Sequence, residues 1–152
     1  MITFAIEQFR NVYREMYPLL ERHYEEISTH RDHGVPLSPQ AHEYQRREDC
    51  GQLMMIIGRE RGTIVSYVVA FIGPGLHYQT CLTSIVDIYY VDQGARGFLI
   101  GKKMFEFAKL EWKRRGVQRV AAGAKLAHDA SPLLKYVGFS PVEIIHEMWL
   151  GE

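Results

Sequence analysis

The residues with the clearest chemical potential run Val91-Asp92-Gln93-Gly94-Ala95-Arg96-Gly97-Phe98-Leu99-Ile100-Gly101-Lys102-Lys103. An apolar, strand-like segment ends at Val91, a glycine-containing turn follows, and a helical pattern opens near Gly97. The first N–H groups of such a helix have no intrahelical acceptor, and the macrodipole adds about half a positive charge. A pyrophosphate could bind there. Gly94 and Gly97 would allow close backbone approach, and Arg96, Lys102 and Lys103 would add mobile positive charge. The segment is neither a Gly-Lys-Ser/Thr phosphate loop nor the dinucleotide fingerprint in its first-strand position.

Asp87 is the only charge in the apolar run from Cys81 to Val91. A carboxylate in that setting could act as a general base, because burial raises its pKa. Alternation places it on the strand face of Ile85, Tyr89 and Val91. His77 and His128 lie in loops and are of the residue type used for proton transfer. His23, His30, His33 and His42 match no standard ligand spacing, so no metal is expected. Cys81 lies in a strand pattern without a neighbouring base and reads as core. Tyr67, Phe71, Tyr89 and Tyr90 read first as strand aromatics, with an acceptor groove as the alternative.

The elements that must position these residues follow from periodicity. Phe9, Val12, Tyr13, Met16, Leu20, Tyr24 and Ile27 recur at steps of three and four, which predicts a long amphipathic helix, kinked or divided at Pro18. Ser38-Pro39 predicts the start of a short polar helix ending near Asp49. Strands are expected over Leu53–Ile57, Thr63–Ile72 and Cys81–Val91, with a turn at Arg59–Gly62 and a break at Gly73-Pro74-Gly75. A second long helix spans Gly97 to Gly116, with Ile100, Met104, Phe105, Ala108, Leu110 and Trp112 as its apolar positions. A strand at Val117–Ala122, a short helix from Ser131-Pro132 to Gly138 and a last strand at Val142–Leu150 complete the order.

The composition bounds the remaining readings. The chain has 152 residues, 47% of them apolar, with 18 basic against 18 acidic side chains. One domain over residues 1–152 is expected for that length. Zero formal charge argues against a dedicated nucleic-acid binder, and the basic run from Lys102 to Arg119 reads as the wet face of a helix. Two cysteines make no disulfide framework. Neither a signal-peptide pattern nor an apolar run near the ~20 residues of a bilayer span is present, so a cytoplasmic protein without membrane partners is expected.

With these residues in view, the sequence resembles the GNAT (GCN5-related) N-acetyltransferase superfamily. The family's acetyl-CoA motif, Arg/Gln-x-x-Gly-x-Gly/Ala, opens a helix after the fourth strand, where this chain has Arg96-Gly97-Phe98-Leu99-Ile100-Gly101. Leu133-Leu134-Lys135-Tyr136-Val137-Gly138-Phe139 resembles the family's short helix followed by Gly-Phe. Two positions depart: Leu99 stands at the motif's middle glycine, and Leu134 at the tyrosine that many members use to protonate the leaving thiolate.

The resemblance implies an α/β (α+β) fold, with a mixed, mostly antiparallel twisted sheet of about six or seven strands flanked by about four helices. It implies acetyl-CoA as cosubstrate, held by Val91, Gln93, Arg96, Gly97, Phe98, Leu99, Gly101 and Lys102. The acceptor would be a primary amine of a small molecule or protein, attacking directly in a ternary complex. Asp87, Tyr136 and His128 are the catalytic candidates. A homodimer is left open. The alternative is a module of the same fold, catalytically weak or inactive, that binds acyl-CoA or a protein partner.

Overall fold

The computed structural model describes residues 1–152. Five strands form one sheet in the order β1-β2-β3-β4-β5. They are β1 (Ile2–Ile6), β2 (Leu53–Glu60), β3 (Thr63–Gly75), β4 (Tyr78–Val91) and β5 (Arg119–Ala121). The first four pair antiparallel, and β5 runs parallel to β4. Four α-helices cover the sheet: α1 (Phe9–Ile27), α2 (Ala41–Asp49), α3 (Phe98–Arg114) and α4 (Ser131–Tyr136).

The expected mixed, mostly antiparallel sheet is present, with five strands in place of six or seven. β1 is an additional edge strand whose five residues carry too short a pattern to read alone. It exists because β2 supplies a ladder from Ile2↔Glu60 to Ile6↔Ile56. The strand expected at Val142–Leu150 is absent: those residues pair with no strand of the sheet. β3 and β4 extend past the expected break at Gly73, as one long hairpin with irregular pairing near Pro74.

α1 passes through Pro18 as one helix of 19 residues. Pro18 and Arg14, the residue whose carbonyl loses its acceptor role, are both exposed, so water can replace the missing bond. α2 starts at Ala41, two residues after Pro39. In α3 the buried positions are Gly101, Met104, Phe105, Ala108 and Trp112, whereas Leu110 points to solvent.

The sheet has a core on each face. α1 lays Phe9, Val12, Met16, Leu19 and Leu20 against Met55, Ile57, Tyr67, Val69 and Tyr90. α3 and α4 lay Met104, Phe105, Ala108, Trp112 and Leu134 against Met54, Ile56, Val68, Ala70 and Val86. Each buried large apolar side chain contributes about 1.5–3 kcal/mol relative to exposure. Together these two layers fix β4 and the start of α3 in place.

Candidate functional site

β4 is paired with β3 along its length, but β5 pairs with it only at Thr83, Ser84 and Ile85. From Val86 to Val91 the second edge of β4 has no strand beside it. Its peptide groups on that side are free to pair with an extended ligand carrying amides. The free edge leads through Val91 and a 3-10 turn at Gln93–Ala95 into α3.

The start of α3 is open. The N–H groups of Gly97, Phe98 and Leu99 have no acceptor in the protein, while those of Ile100 and Gly101 bond to Gly97 O at 3.0 and 3.2 Å. A side chain added at Gly94 or Gly97 would meet nothing within 4 Å. Gly97 is in extended backbone (φ 177°), which any residue adopts, so its value lies in that open space. Gly101 serves a different purpose. It is buried, and a Cβ there would lie 2.6 Å from Leu133 Cδ2, so this glycine lets α4 pack closely on α3.

Arg96 is committed within the protein. Its guanidinium donates to Val91 O at 2.8 Å and pairs with Glu26 of α1 at 2.6 Å. Glu26 also accepts the Tyr90 hydroxyl at 2.5 Å. The Arg96 hydrogen bond is the main reason the Glu26 carboxyl is lowered to about 2. Behind them, His23 stacks on Tyr90 with ring centres 4.6 Å apart, and its Nδ1 lies 2.6 Å from the buried Tyr67 hydroxyl. Burial lowers His23 to about 4, so the imidazole is neutral at pH 7, and it raises the Tyr67 phenol. This network joins α1, β3, β4 and the turn before α3, and it holds the turn in shape. Lys102 remains beside the open helix start, with its Nζ 3.7 Å from Glu106 and 5.3 Å from the Tyr136 ring centre.

Asp87 sits at a bulge. Val69 pairs with Ile88 and Ala70 with Val86, which leaves Asp87 as the extra residue. The bulge corrects the face expected from simple alternation. Asp87 points to the α1–α2 side, where Tyr44 Oη donates to its Oδ2 at 2.8 Å. Tyr89 and Val91 pack with the α3 core on the opposite side. Asp87 is reachable from solvent, yet the protein around it raises its carboxyl above the ordinary value; burial is the main cause, partly offset by the Tyr44 hydrogen bond and by Arg47.

The three catalytic candidates do not form one constellation. Tyr136 is on α4, edge-on to Phe98 with ring centres 5.0 Å apart, on the α3 side of the sheet. Leu134, at the usual tyrosine position, is 6% exposed and belongs to the core. His128 is exposed in the loop after β5, with its backbone N–H bonded to Lys125 O. His77 lies at the tip of the β3–β4 hairpin, at the far end of β4 from Val91.

Tyr44 and Glu26 were not legible as site residues, and His23 and Tyr89, weighed as a metal ligand and as a groove aromatic, were not legible in the contacts they make. Their partners lie 34 or more residues away, so no local pattern marks them. Tyr89 donates to Gly123 O at 2.6 Å, bridging β4 and the chain leaving β5 where the two diverge. Two open clefts, one beside Ile72 and Arg115 and one between α1 and Gly34–Leu37, contain none of these residues.

No family model and no curated protein matches the sequence. Solved structures do. A ribosomal-protein-alanine N-acetyltransferase from Brucella melitensis biovar Abortus 2308 superposes with a TM-score of 0.73 at 16% identity, over 99% of this chain and 100% of that one. An aminoglycoside acetyltransferase from an uncultured soil metagenomic sample gives 0.78 at 12% identity, over 99% and 97%. A predicted acetyltransferase from Clostridium acetobutylicum, solved with acetyl-CoA, gives 0.69 at 17% identity, over 99% and 97%. The chain therefore has the GNAT acetyltransferase fold.

Proposed function

We propose that residues 1–152 act as one N-acetyltransferase domain that moves an acetyl group from acetyl-CoA to a primary amine of a small molecule or protein. One observation carries this reading: the free edge of β4 from Val86 to Val91 runs directly into the open N–H groups of Gly97, Phe98 and Leu99. That combination suits a ligand with an amide-bearing arm and a diphosphate. The empty space beside Gly94 and Gly97 is consistent with such a fit.

Acetyl-CoA supplies an activated thioester, and the chain supplies position and proton handling. Val91 and Gln93 border the arm, while the first turn of α3, from Gly97 through Leu99, with Lys102 beside it, faces the diphosphate. Arg96 shapes the turn through Val91 O and Glu26, and Gly101 sets the α3–α4 distance. Backbone N–H groups of β4 near the bulge polarise the thioester carbonyl, as in an oxyanion hole. Asp87 accepts the proton from the amine, whose ordinary pKa near 10.4 keeps it protonated at neutral pH. Attack forms the C–N bond and breaks the C–S bond, and the thiolate leaves. A thiol pKa of about 8.5 makes that departure feasible without a phenol at Leu134. Tyr136, on α4, and His128, in the loop after β5, are the further groups that would contact the ligand or pass protons in this reading. No helix is long and apolar enough to cross a membrane. The proposed setting is the cytoplasm, where Cys50 and Cys81 would stay reduced.

The core placement of Leu134 favours one second reading, a module that binds acyl-CoA without turnover. Thermal denaturation with and without acetyl-CoA, followed by thiol release across an amine panel, tests both. Binding with release supports the enzyme, and binding without release supports the module. No shift at saturating acetyl-CoA removes both, because a ligand at one hundred times Kd stabilises the native state by about 2.7 kcal/mol.

A further inference from the structure

Asp87 shares its side of the sheet with a cation that it does not pair with. Arg47 of α2 makes its one ion pair with Glu43, yet its charge lowers both the Asp87 carboxyl and the Tyr44 phenol, so it lies within electrostatic reach of both. The Arg47 guanidinium sits over the Phe71 ring, 4.0 Å from its centre. Its Nε donates to Glu43 Oε1 at 3.0 Å, and its two terminal nitrogens donate to nothing in the chain. Glu43 does not neutralise it. Arg46 holds the same carboxylate through two bonds, at 2.7 and 2.9 Å, so two guanidiniums share one negative charge.

Asp87 also has bonding capacity to spare. Tyr44 donates to its Oδ2, and its Oδ1 accepts no bond within the chain. The same surface has an apolar part. Ile85 lies across from Phe71 in the β3–β4 ladder, so the two share a face, and Ile85 is 55% exposed. One patch therefore holds an unpaired carboxylate oxygen, an unpaired guanidinium edge and an exposed aliphatic side chain.

We propose that Arg47 is the anion subsite of the acceptor site, and that the acceptor is a small primary amine carrying an oxyanion, a carboxylate or a phosphate, on a short apolar spacer. This rests on acetyl transfer at Asp87. The ammonium meets the free Asp87 oxygen, and the spacer covers Ile85. The oxyanion takes the free edge of Arg47, whose planar fork matches two oxygens at once. Opposite charges left unpaired on one surface complement a ligand that carries both. A polycationic amine meets repulsion at Arg47 and is disfavoured. The oxyanion takes no part in the bond changes.

Matched amines test this on the full chain. β-Alanine, γ-aminobutyrate and ε-aminocaproate are each set against the n-alkylamine of equal carbon count, and O-phosphoethanolamine against ethanolamine; the two kinds of pair separate carboxylate from phosphate. Calorimetry with and without CoA reads binding, and thiol release from acetyl-CoA reads kcat and KM. In at least one pair the anionic member should bind about tenfold tighter or more. The gain should fall in KM and not in kcat, because the oxyanion contact is the same before and during transfer. Arg47→Met keeps an unbranched stem over Phe71 and should bring the ratio close to one. Arg47→Lys keeps the charge without the fork and should retain part of it, with the urea midpoint of each variant checking the fold. A ratio near one in the wild-type chain, or a ratio that survives Arg47→Met, would overturn the proposal. Arg47-dependent binding without thiol release keeps the subsite and overturns acetyl transfer, whereas release with neutral or polycationic amines alone does the reverse.

Discussion

His23 should make the fold acid-sensitive in a defined window. The imidazole is held at about 4, against 6.5 for a free histidine, chiefly because it is buried between α1 and the sheet; nearby Glu26 offsets part of the effect. Protonation is therefore easier in the unfolded chain. Between pH 6.5 and about 4 the unfolded state binds more protons, so stability rises with pH and is lost as pH falls. With these two values the loss from pH 7 to pH 5 is about 2 kcal/mol, approaching about 3 kcal/mol below pH 4. The lowered carboxyls of Glu26, Glu43 and Glu111, each near 2, add their losses mainly below the ordinary value of 4.5, beneath the interval from pH 7 to pH 5. The perturbation is His23→Gln, which keeps a polar partner for the Tyr67 hydroxyl but does not titrate. Urea unfolding at pH 7 and pH 5 should show wild type losing about 2 kcal/mol more than the variant, whatever the variant's stability at pH 7. Equal losses in the two proteins would refute the assignment of a buried neutral imidazole.

Three further outcomes follow from single contacts. Ser66 Oγ is buried without a partner, so Ser66→Ala should stabilise the fold by about 1 kcal/mol, read from the urea midpoint at unchanged m. Gly58→Ala would place a methyl 2.0 Å from Ser66 Oγ and 2.8 Å from the Phe4 ring; it should cost about 2–3 kcal/mol, with part recovered by Ser66→Gly in the same chain. Asp87→Asn should depress amine acetylation most at low pH and least where the amine deprotonates unaided, and an unchanged pH–rate profile would remove Asp87 from the mechanism.

The amphipathic stripes of α1 and α3, the apolar runs of β2 to β4 and the glycine turn before α3 were all legible in the sequence. Each is a local pattern whose period states its own geometry. The candidate site's position at the β4–α3 junction follows from the same kind of signal, since the end of a strand and the start of a helix are written in consecutive residues. The roles of individual side chains at that junction were not. Arg96 reads as a free cation, yet it pairs with Glu26, 70 residues away. Gly101 reads as part of a phosphate cradle, and its buried contact is with Leu133. Leu99, at the motif's glycine, is 55% exposed at the open helix end.

By itself the sequence determined the helices, the apolar strands and the place where an anion could bind, because backbone periodicity and chain order need no distant partner. Tertiary structure alone decided which face Asp87 takes, since the bulge arises from the register of β4 against β3. It likewise decided that β1 is a strand and residues 142–150 are not, although the latter have the stronger alternation. Side-chain alternation belongs to one segment, but a β-ladder belongs to two, and only the packed chain determines whether the second edge is there.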